Sequence, residues 1–450
     1  MGISRKEESR WFKKVKARLV ARGFEERLAD KRVDSPTCSR QGLRLTFMAA
    51  STMHWEIQSM DISSAFLQGN ILQRTVFVKP PKEIQERGTI WKLKRCLYGL
   101  SDAPREWYDR VCSEMKKLGG KVSLYDKCVF LWHKGQQLEG IITTHVDDFE
   151  YAGTLEWQEK VIGRILKTFK ISRKEKGSFK YIGLSIEQNG TEIFIDQNNY
   201  CLDLKETKVN GQSNEELNLQ EKGQLRAICG QVLWATSQTR PDAAFETCQI
   251  SNAGNDTRKR HLVDANKVIR KLKKESLRIV YPSLGQPENI KVTVYGDGSH
   301  ASLPSGASQG GNIVFVTGGG RSAPISWRSK KLERITKSPL ATEVSAIADA
   351  ADNGHLISEM VKEIFCLKIN PPIELLTDSK SLKDHLDSTK VINDPRLRVD
   401  IARLREMIEL GEITVKWVPG KLQLADPLTK RSASSDLLRR VLVSGILPEH

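Results

Sequence analysis

Between Gly140 and Gly153 the chain reads as a strand, Ile141-Ile-Thr-Thr-His-Val146, then the acid pair Asp147-Asp148, then a second β-rich run, Phe149-Glu-Tyr151. Two such runs separated by so short a polar step pair as a tight antiparallel hairpin, and this hairpin carries its acids at the tip. Successive side chains along a strand point to opposite faces, so neighbouring acids can serve one site only where the backbone bends. A half-apolar strand, Trp55-Glu-Ile-Gln-Ser-Met60, delivers a further acid at its end, Asp61. Three acids meeting in one place repel one another unless cations neutralise them. Mg²⁺ suits such a place because it takes carboxylate oxygens and keeps positions for water and phosphate. Two such ions can clamp the attacking and leaving oxygens of an in-line phosphoryl transfer. Spacing alone leaves the plainer alternative open, since Asp-Asp pairs are commonplace in surface turns.

At 450 residues the chain exceeds one ordinary core and implies two or three domains. No stretch approaches the roughly 18 to 20 continuous apolar residues of a membrane span. The start, Met1-Gly2-Ile3-Ser4-Arg5-Lys6, lacks a signal peptide's apolar segment and the Ser/Thr of a myristoylation signal. The expectation is a chain that is not secreted and has no membrane partner. Eight dispersed cysteines show no paired metal-ligand spacing and no disulfide framework. The net charge of +16 favours a phosphate-bearing partner, with concentrations at Lys13–Arg27 and Arg258–Arg278. Charge runs also form ordinary solvated faces, so charge by itself decides nothing.

A second set of acids follows a loop, Pro282-Ser-Leu-Gly-Gln-Pro287, that punctuates the chain. Beyond it come a strand Lys291–Tyr295 leading to Asp297, a strand Asn312–Val316, and a helix from about Pro339 to Phe365 carrying Glu343. A strand Ile373–Leu376 then leads to Asp378, a helix runs near Pro395–Leu410, a strand spans Ile413–Val418, and Asp426 lies in Ala425-Asp-Pro427. That order describes a compact α/β domain. Acids from strand, helix and strand can converge on one sheet edge and activate water against a phosphodiester. Each alone could equally be a cap or turn residue.

Four ordered motifs resemble the reverse transcriptase of copia-type LTR retrotransposon Pol polyproteins. They are Lys16-Ala-Arg-Leu-Val-Ala-Arg-Gly23, Met60-Asp-Ile-Ser-Ser-Ala-Phe-Leu-Gln-Gly69, Cys96-Leu-Tyr-Gly-Leu-Ser-Asp-Ala-Pro-Arg-Glu-Trp-Tyr108 and His145-Val-Asp-Asp148. Downstream, Pro324–Lys331 with Ser338-Pro-Leu-Ala-Thr-Glu343, and Leu424-Ala-Asp-Pro-Leu-Thr-Lys430, resemble that family's RNase H. The resemblance runs from about Trp11 to Lys430. It departs at His145, where the family usually carries Tyr, and at Ser101-Asp102, where a Lys-Gln pair is more usual.

The resemblance implies an α/β and α+β multidomain chain: a fingers/palm/thumb right-hand fold followed by an RNase H-like domain with a mixed five-stranded sheet. Fingers, short at the N-terminus, and palm would occupy residues 1–153 and a helical, basic thumb or connection 154–287. The RNase H-like domain would occupy 288–432, with a C-terminal tail at 433–450. Asp61, Asp147 and Asp148, assisted by the carbonyl of Ile62, would hold the polymerase metals. Asp297, Glu343, Asp378 and Asp426 would hold the nuclease metals. Two Mg²⁺ per site are implied, with Mn²⁺ as a substitute. Phe66 would be the aromatic gate against a 2′-hydroxyl, or alternatively a core aromatic. Tyr98 and Gly99 would contact nucleotide and template, and Lys16, Arg18 and Arg22 the incoming triphosphate. The basic helix at Arg258–Arg278 would lie along duplex phosphates. The implied partners are an RNA template, a DNA primer, the RNA–DNA hybrid and dNTPs, within a polyprotein that also carries integrase and protease. The implied place is the cytoplasm, in virus-like particles, or the nucleus. Two other readings stay open. One is a truncated or domesticated retroelement protein that binds nucleic acid without polymerising. The other is a nuclease or integrase-like transferase using the second acid set alone, for which the first set would be idle.

Overall fold

The tip of the acid-bearing hairpin is fixed by pairing of His145 with Asp148 and of Thr144 with Phe149, which leaves Val146-Asp147 as the turn. The computed structural model describes residues 2–8, 12–26, 32–84, 88–254, 256–303, 305–388 and 394–449. These residues fall into two compact units, one of residues 1–42, 58–134 and 138–175, the other of 43–57, 135–137 and 176–450.

In the first unit the hairpin strands Gln137–His145 and Asp148–Gly153 sit at the centre of a six-stranded sheet. Its order is Ile171–Lys176, Gln58–Ile62, Asp148–Gly153, Gln137–His145, Val129–Lys134 and Lys121–Val122. Met60 pairs with Phe149 and Asp61 with Asp148, so the first acid comes level with the hairpin tip. Met60, Ile142, Phe149 and Tyr151 pack into one core with Trp107, Val111 and Met115 of the helix Ala103–Lys117. The four-residue spacing of those three helix residues gives the helix a single apolar stripe. Two small antiparallel ribbons, Gly2–Glu8 with Phe12–Arg18 and Phe77–Val78 with Trp91–Lys92, belong to the same unit.

The second unit contains a four-stranded antiparallel sheet, Ser178–Tyr181, Leu184–Asn189, Glu192–Asp196 and Ile279–Tyr281. The sequence suggests only a β-rich pair near Phe179–Ile195, yet three strands form there, because Ile182-Gly183 and Gly190 both adopt positive φ and turn the chain twice. Helices Leu219–Gln238, Ala244–Ser251 and Lys259–Lys274 share a core built on Leu225, Val232, Ile250, Leu262 and Ile269.

The acid-bearing second sheet has five strands in the order Arg321–Lys331, Gln309–Gly318, Lys291–Ser299, Ile373–Thr377 and Ile413–Trp417. The first three are antiparallel neighbours, and the last two run parallel to Lys291–Ser299. Val292 to Gly298 is buried throughout, as befits a central strand covered on both faces. Helix Pro339–Phe365, capped by the Ser338 hydroxyl, packs against it. This is the mixed five-stranded sheet that the resemblance implies for this part of the chain, and with the hairpin-centred sheet it makes up the expected α/β and α+β class. The segment around Pro324 forms the edge strand Arg321–Lys331, where a bulge opposite Val314/Phe315 accommodates a residue that cannot donate to the ladder. Residues on both sides of the Pro282–Pro287 loop belong to one unit, and Leu284 within that loop is buried. The segment 433–450, read from sequence as a tail, carries a helix Asp436–Ser444 with Leu438, Val441 and Leu442 buried. Among the described residues no helix is long and apolar enough to cross a membrane, and all eight cysteines are free thiols.

Candidate functional site: two carboxylate centres

The first centre is organised by an unfavourable backbone. Val146 adopts φ +60°, a conformation that a β-branched residue resists at a cost of about 1–3 kcal/mol. Its carbonyl accepts a hydrogen bond from the buried Trp107 indole at 2.6 Å, and the Asp147 carbonyl accepts one from the Ile62 amide at 2.8 Å. These bonds hold the bend that alternation along a strand would forbid. Carboxylate oxygens of Asp61, Asp147 and Asp148 then lie within 4.8 Å of one another, all half-buried. The Ser172 hydroxyl donates to the Asp61 carboxylate and, at 3.2 Å, to its carbonyl. Ile62 sits at the same strand end with its side chain in the core.

Phe66 is half-buried and meets Tyr98 edge-on, with ring centroids 4.9 Å apart. It also packs against the core, the plainer of the two readings the sequence left open. Burial, and after it the Asp147 charge, raises the Tyr98 hydroxyl above its usual range, which places that phenol beside the acids as a neutral group. The Arg18 guanidinium lies 5.5 Å from the Tyr98 ring centroid. Gly99 has φ +91°, and a Cβ there would stand 2.0 Å from the carbonyl oxygen of Ala21. Only glycine lets these two segments meet, and the Ala21 amide donates to the Tyr98 carbonyl at 2.7 Å. Arg22 turns elsewhere: it is exposed, paired with Glu25 at 2.8 Å and set over the Phe24 ring. The side chain of Lys16 lies outside the described residues.

Both departures from the family pattern have structural addresses. His145 is half-buried, and burial lowers its pKa against the pull of Asp147, so the ring is neutral at pH 7. Its Nδ1 is buried without a hydrogen-bond partner. Asp102 is buried and binds Arg74 through both oxygens at 2.9 Å, with Glu26 on the same guanidinium. The charge change there is absorbed within a local network.

The second centre uses sheet register. Tyr295 pairs with Leu376 across parallel strands, so Asp297 and Asp378, each two residues on, come level at one sheet end. Asp426 arrives from the short turn Asp426–Leu428, and oxygens of the three aspartates lie within 4.8 Å of one another. Glu343 approaches from the second turn of the long helix, where its Oε2 accepts from the Gly298 amide at 3.2 Å. A Cβ on Gly298 would meet the Thr342 carbonyl oxygen at 2.7 Å, so the Gly-Asp-Gly sequence is what lets the helix come this close. Burial, then the charges of Asp297 and Asp378, push the Glu343 carboxyl up to about 9. Burial likewise raises Asp378, and it carries Asp426 up to about 6 against the opposing pull of Lys430.

Sequence reasoning missed two residues here. The Thr429 hydroxyl donates to Asp297 Oδ2, and Lys430 Nζ lies 2.7 Å from Asp426 Oδ1 and 3.2 Å from Asp297 Oδ1. Against the burial that would lower it, Asp297 and Asp426 raise this ammonium above its ordinary value. The signal was in plain view, since Lys430 stands four residues after Asp426, one helical turn on. A divalent cation fits this centre: the donors are all hard oxygens, the acids raise one another's affinity for protons, and Asp378 Oδ1 is buried with no hydrogen-bond partner.

The basic helix Lys259–Lys274 spends part of its charge internally. Lys259 pairs with Glu221, Lys267 with Asp264, Arg270 with Glu206 and Lys271 with Glu246. Arg260 and Lys274, together with the ion-paired Lys267 and Arg270, are exposed along one stripe of its surface.

Residues 3–214 match the family model described as reverse transcriptase (RNA-dependent DNA polymerase). The retrovirus-related Pol polyprotein from transposon RE1 of Arabidopsis thaliana is 24% identical over 468 aligned residues, which cover 97% of this chain and 31% of that polyprotein. The corresponding polyprotein from transposon TNT 1-94 of Nicotiana tabacum is 24% identical over 449 residues, 93% of this chain and 33% of the relative. The chain thus spans about a third of the length of these two polyproteins. Among solved structures, the foamy viral protease-reverse transcriptase in complex with RNA/DNA hybrid aligns with a TM-score of 0.46 at 13% identity, covering 86% of this chain and 46% of that one.

Proposed function

From a chain that belongs to the copia-type retrotransposon Pol family over its reverse transcriptase and RNase H region, we propose an RNA- and DNA-directed DNA polymerase joined to an RNA–DNA hybrid ribonuclease. The observation that carries this reading is the presence of two separately built carboxylate centres, each with three aspartates whose oxygens lie within 4.8 Å of one another. An enzyme with one chemistry has use for one such centre. A polymerase that copies RNA leaves a hybrid whose RNA strand must be removed before second-strand synthesis, and a tethered nuclease meets that hybrid at high effective concentration.

In this reading residues 1–153 form fingers and palm, 154–287 thumb or connection, and 288–432 the nuclease. Asp61, Asp147, Asp148 and the Ile62 carbonyl hold Mg²⁺ in the first centre, and Asp297, Glu343, Asp378 and Asp426 in the second, with Mn²⁺ as a substitute. When bound, the ions supply charge neutralisation at the attacking and leaving oxygens. The chain's own residues do the rest. Phe66, braced by Tyr98, presents a ring edge to the sugar and discriminates by sterics. Arg18 offers positive charge toward the triphosphate of a dNTP. The exposed stripe of Arg260, Lys267, Arg270 and Lys274 follows duplex phosphates of template, primer and hybrid, independent of base sequence.

The test is primer extension on poly(rA)–oligo(dT) beside cleavage of a labelled RNA–DNA hybrid, each with Mg²⁺ and with EDTA. Metal-dependent extension and cleavage are expected. Hybrid cleavage without extension would reject the polymerase half of the reading, and neither activity would leave a nucleic-acid-binding protein.

A further inference from the structure

The second centre already contains a cation, and it is part of the chain. Lys430 Nζ bridges Asp426 Oδ1 at 2.7 Å and Asp297 Oδ1 at 3.2 Å. Asp297 is fully buried, whereas the Lys430 side chain keeps a third of its surface in solvent. The ammonium therefore enters the cluster from its open side. Thr429 fills the other oxygen of Asp297 through its hydroxyl. Mg²⁺ binds carboxylate oxygens at about 2.0–2.1 Å and demands near-octahedral order. An ion held by Asp297 and Asp426 would sit on the oxygens the ammonium now occupies, and two cations cannot share them without strong repulsion.

We propose that Lys430 is a built-in placeholder for the divalent cation. It holds the buried acids together while the centre is empty and swings out through its exposed side when the ion enters. The inference rests on reading this centre as a metal site. Its consequence is that metal binding has a competitor within the chain, so the wild-type centre binds more weakly than its four acids would otherwise allow. Lysine suits the role better than arginine: a flexible four-carbon stem can withdraw a point charge, whereas a guanidinium fork locks to carboxylates through two bonds. The released ammonium lies at the rim of the centre, where a scissile phosphate would arrive.

The test compares Mg²⁺ and Mn²⁺ binding by titration calorimetry in full-length chains carrying Asp147→Asn to silence the first centre, with Lys430 intact or changed to Met. The Lys430→Met chain should bind with a Kd lower by roughly tenfold, the scale of one removed charge contact at a partly exposed site. It should also melt at a lower temperature in EDTA and gain more from added metal. Equal or weaker binding after Lys430→Met would overturn the placeholder. No metal heat in either chain would overturn the metal reading and the placeholder with it. Because the Met variant could fail to fold, a second measurement uses the unmodified chain. Acetylation of Lys430, followed by peptide mass spectrometry, should accelerate several-fold when Mg²⁺ is added and return to its slow rate in EDTA. A rate unmoved or slowed by Mg²⁺ would refute the displacement.

Discussion

Loading the second centre with a divalent cation at pH 7 should eject close to one proton. Glu343 is pushed up to about 9 by burial and by Asp297 and Asp378, so at pH 7 it is almost wholly protonated in the metal-free chain. Asp426, at about 6, contributes roughly a tenth of a proton more. A ligand carboxyl must be ionised to bind, and ionising Glu343 about two pH units below its pKa costs roughly 3 kcal/mol, on the order of a hundredfold in affinity. Solvent screening at this half-buried position reduces that figure. Affinity should therefore rise up to tenfold per pH unit from 7 to 9 and then level off. Calorimetry in HEPES and in Tris, whose ionisation heats differ, reads the proton count directly. Glu343→Gln should remove nearly all of the release. A proton count of zero, or an affinity flat from pH 7 to 9, would refute the reasoning. The same shift has a sign for stability. The folded value of Glu343 lies above its ordinary value of 4.5, so its contribution is fully present below that pH and is lost as pH climbs toward about 9. Added metal should flatten that decline.

Three further substitutions test separate parts of the architecture. Gly99→Ala places a Cβ at φ +91° and 2.0 Å from the Ala21 oxygen, and should destabilise the first unit by about 2–4 kcal/mol in urea melts; an unchanged midpoint would contradict the contact. Asp242→Ala leaves Arg240, only 1% exposed and bonded through two of its three nitrogens to that carboxylate, as a buried unpaired charge, and should cost about 3–5 kcal/mol of thermal stability. Phe66→Ala should let the polymerase incorporate ribonucleotides, lowering discrimination roughly tenfold or more in single-nucleotide insertion assays; unchanged selectivity would return Phe66 to a core role.

Much of both centres was legible because the sequence states the elements that carry them. Asp61, Asp297 and Asp378 follow from the apolar runs that lead into them, although the strands Gln58–Ile62 and Lys291–Ser299 run on past their acids, and the hairpin follows from the two runs flanking Asp147-Asp148. What was hidden is what depends on distant residues. Ser172 reaches Asp61 across 111 residues, and Arg439 reaches Asp242 across 197. Neither pairing leaves a local pattern. Val146 at positive φ runs against its own propensity, so the detail that makes the acid pair usable is one that local rules argue against. Glu150, read simply as a strand residue, is fully buried beneath Thr143, and burial drives its carboxyl far above the ordinary range into the neutral form. Arg321–Lys331 is an edge strand that no local pattern announces, since Pro324 cannot donate to the ladder and only the bulge at its pairing with Phe315 accommodates it.

The most direct test of the central claim is separation of the two activities by one substitution in each centre, assayed side by side for primer extension and hybrid cleavage. Asp147→Asn should abolish extension and leave cleavage near the unmodified rate, while Glu343→Gln should do the reverse. Loss of both activities from either substitution alone, in a chain that still melts normally, would contradict two independent centres.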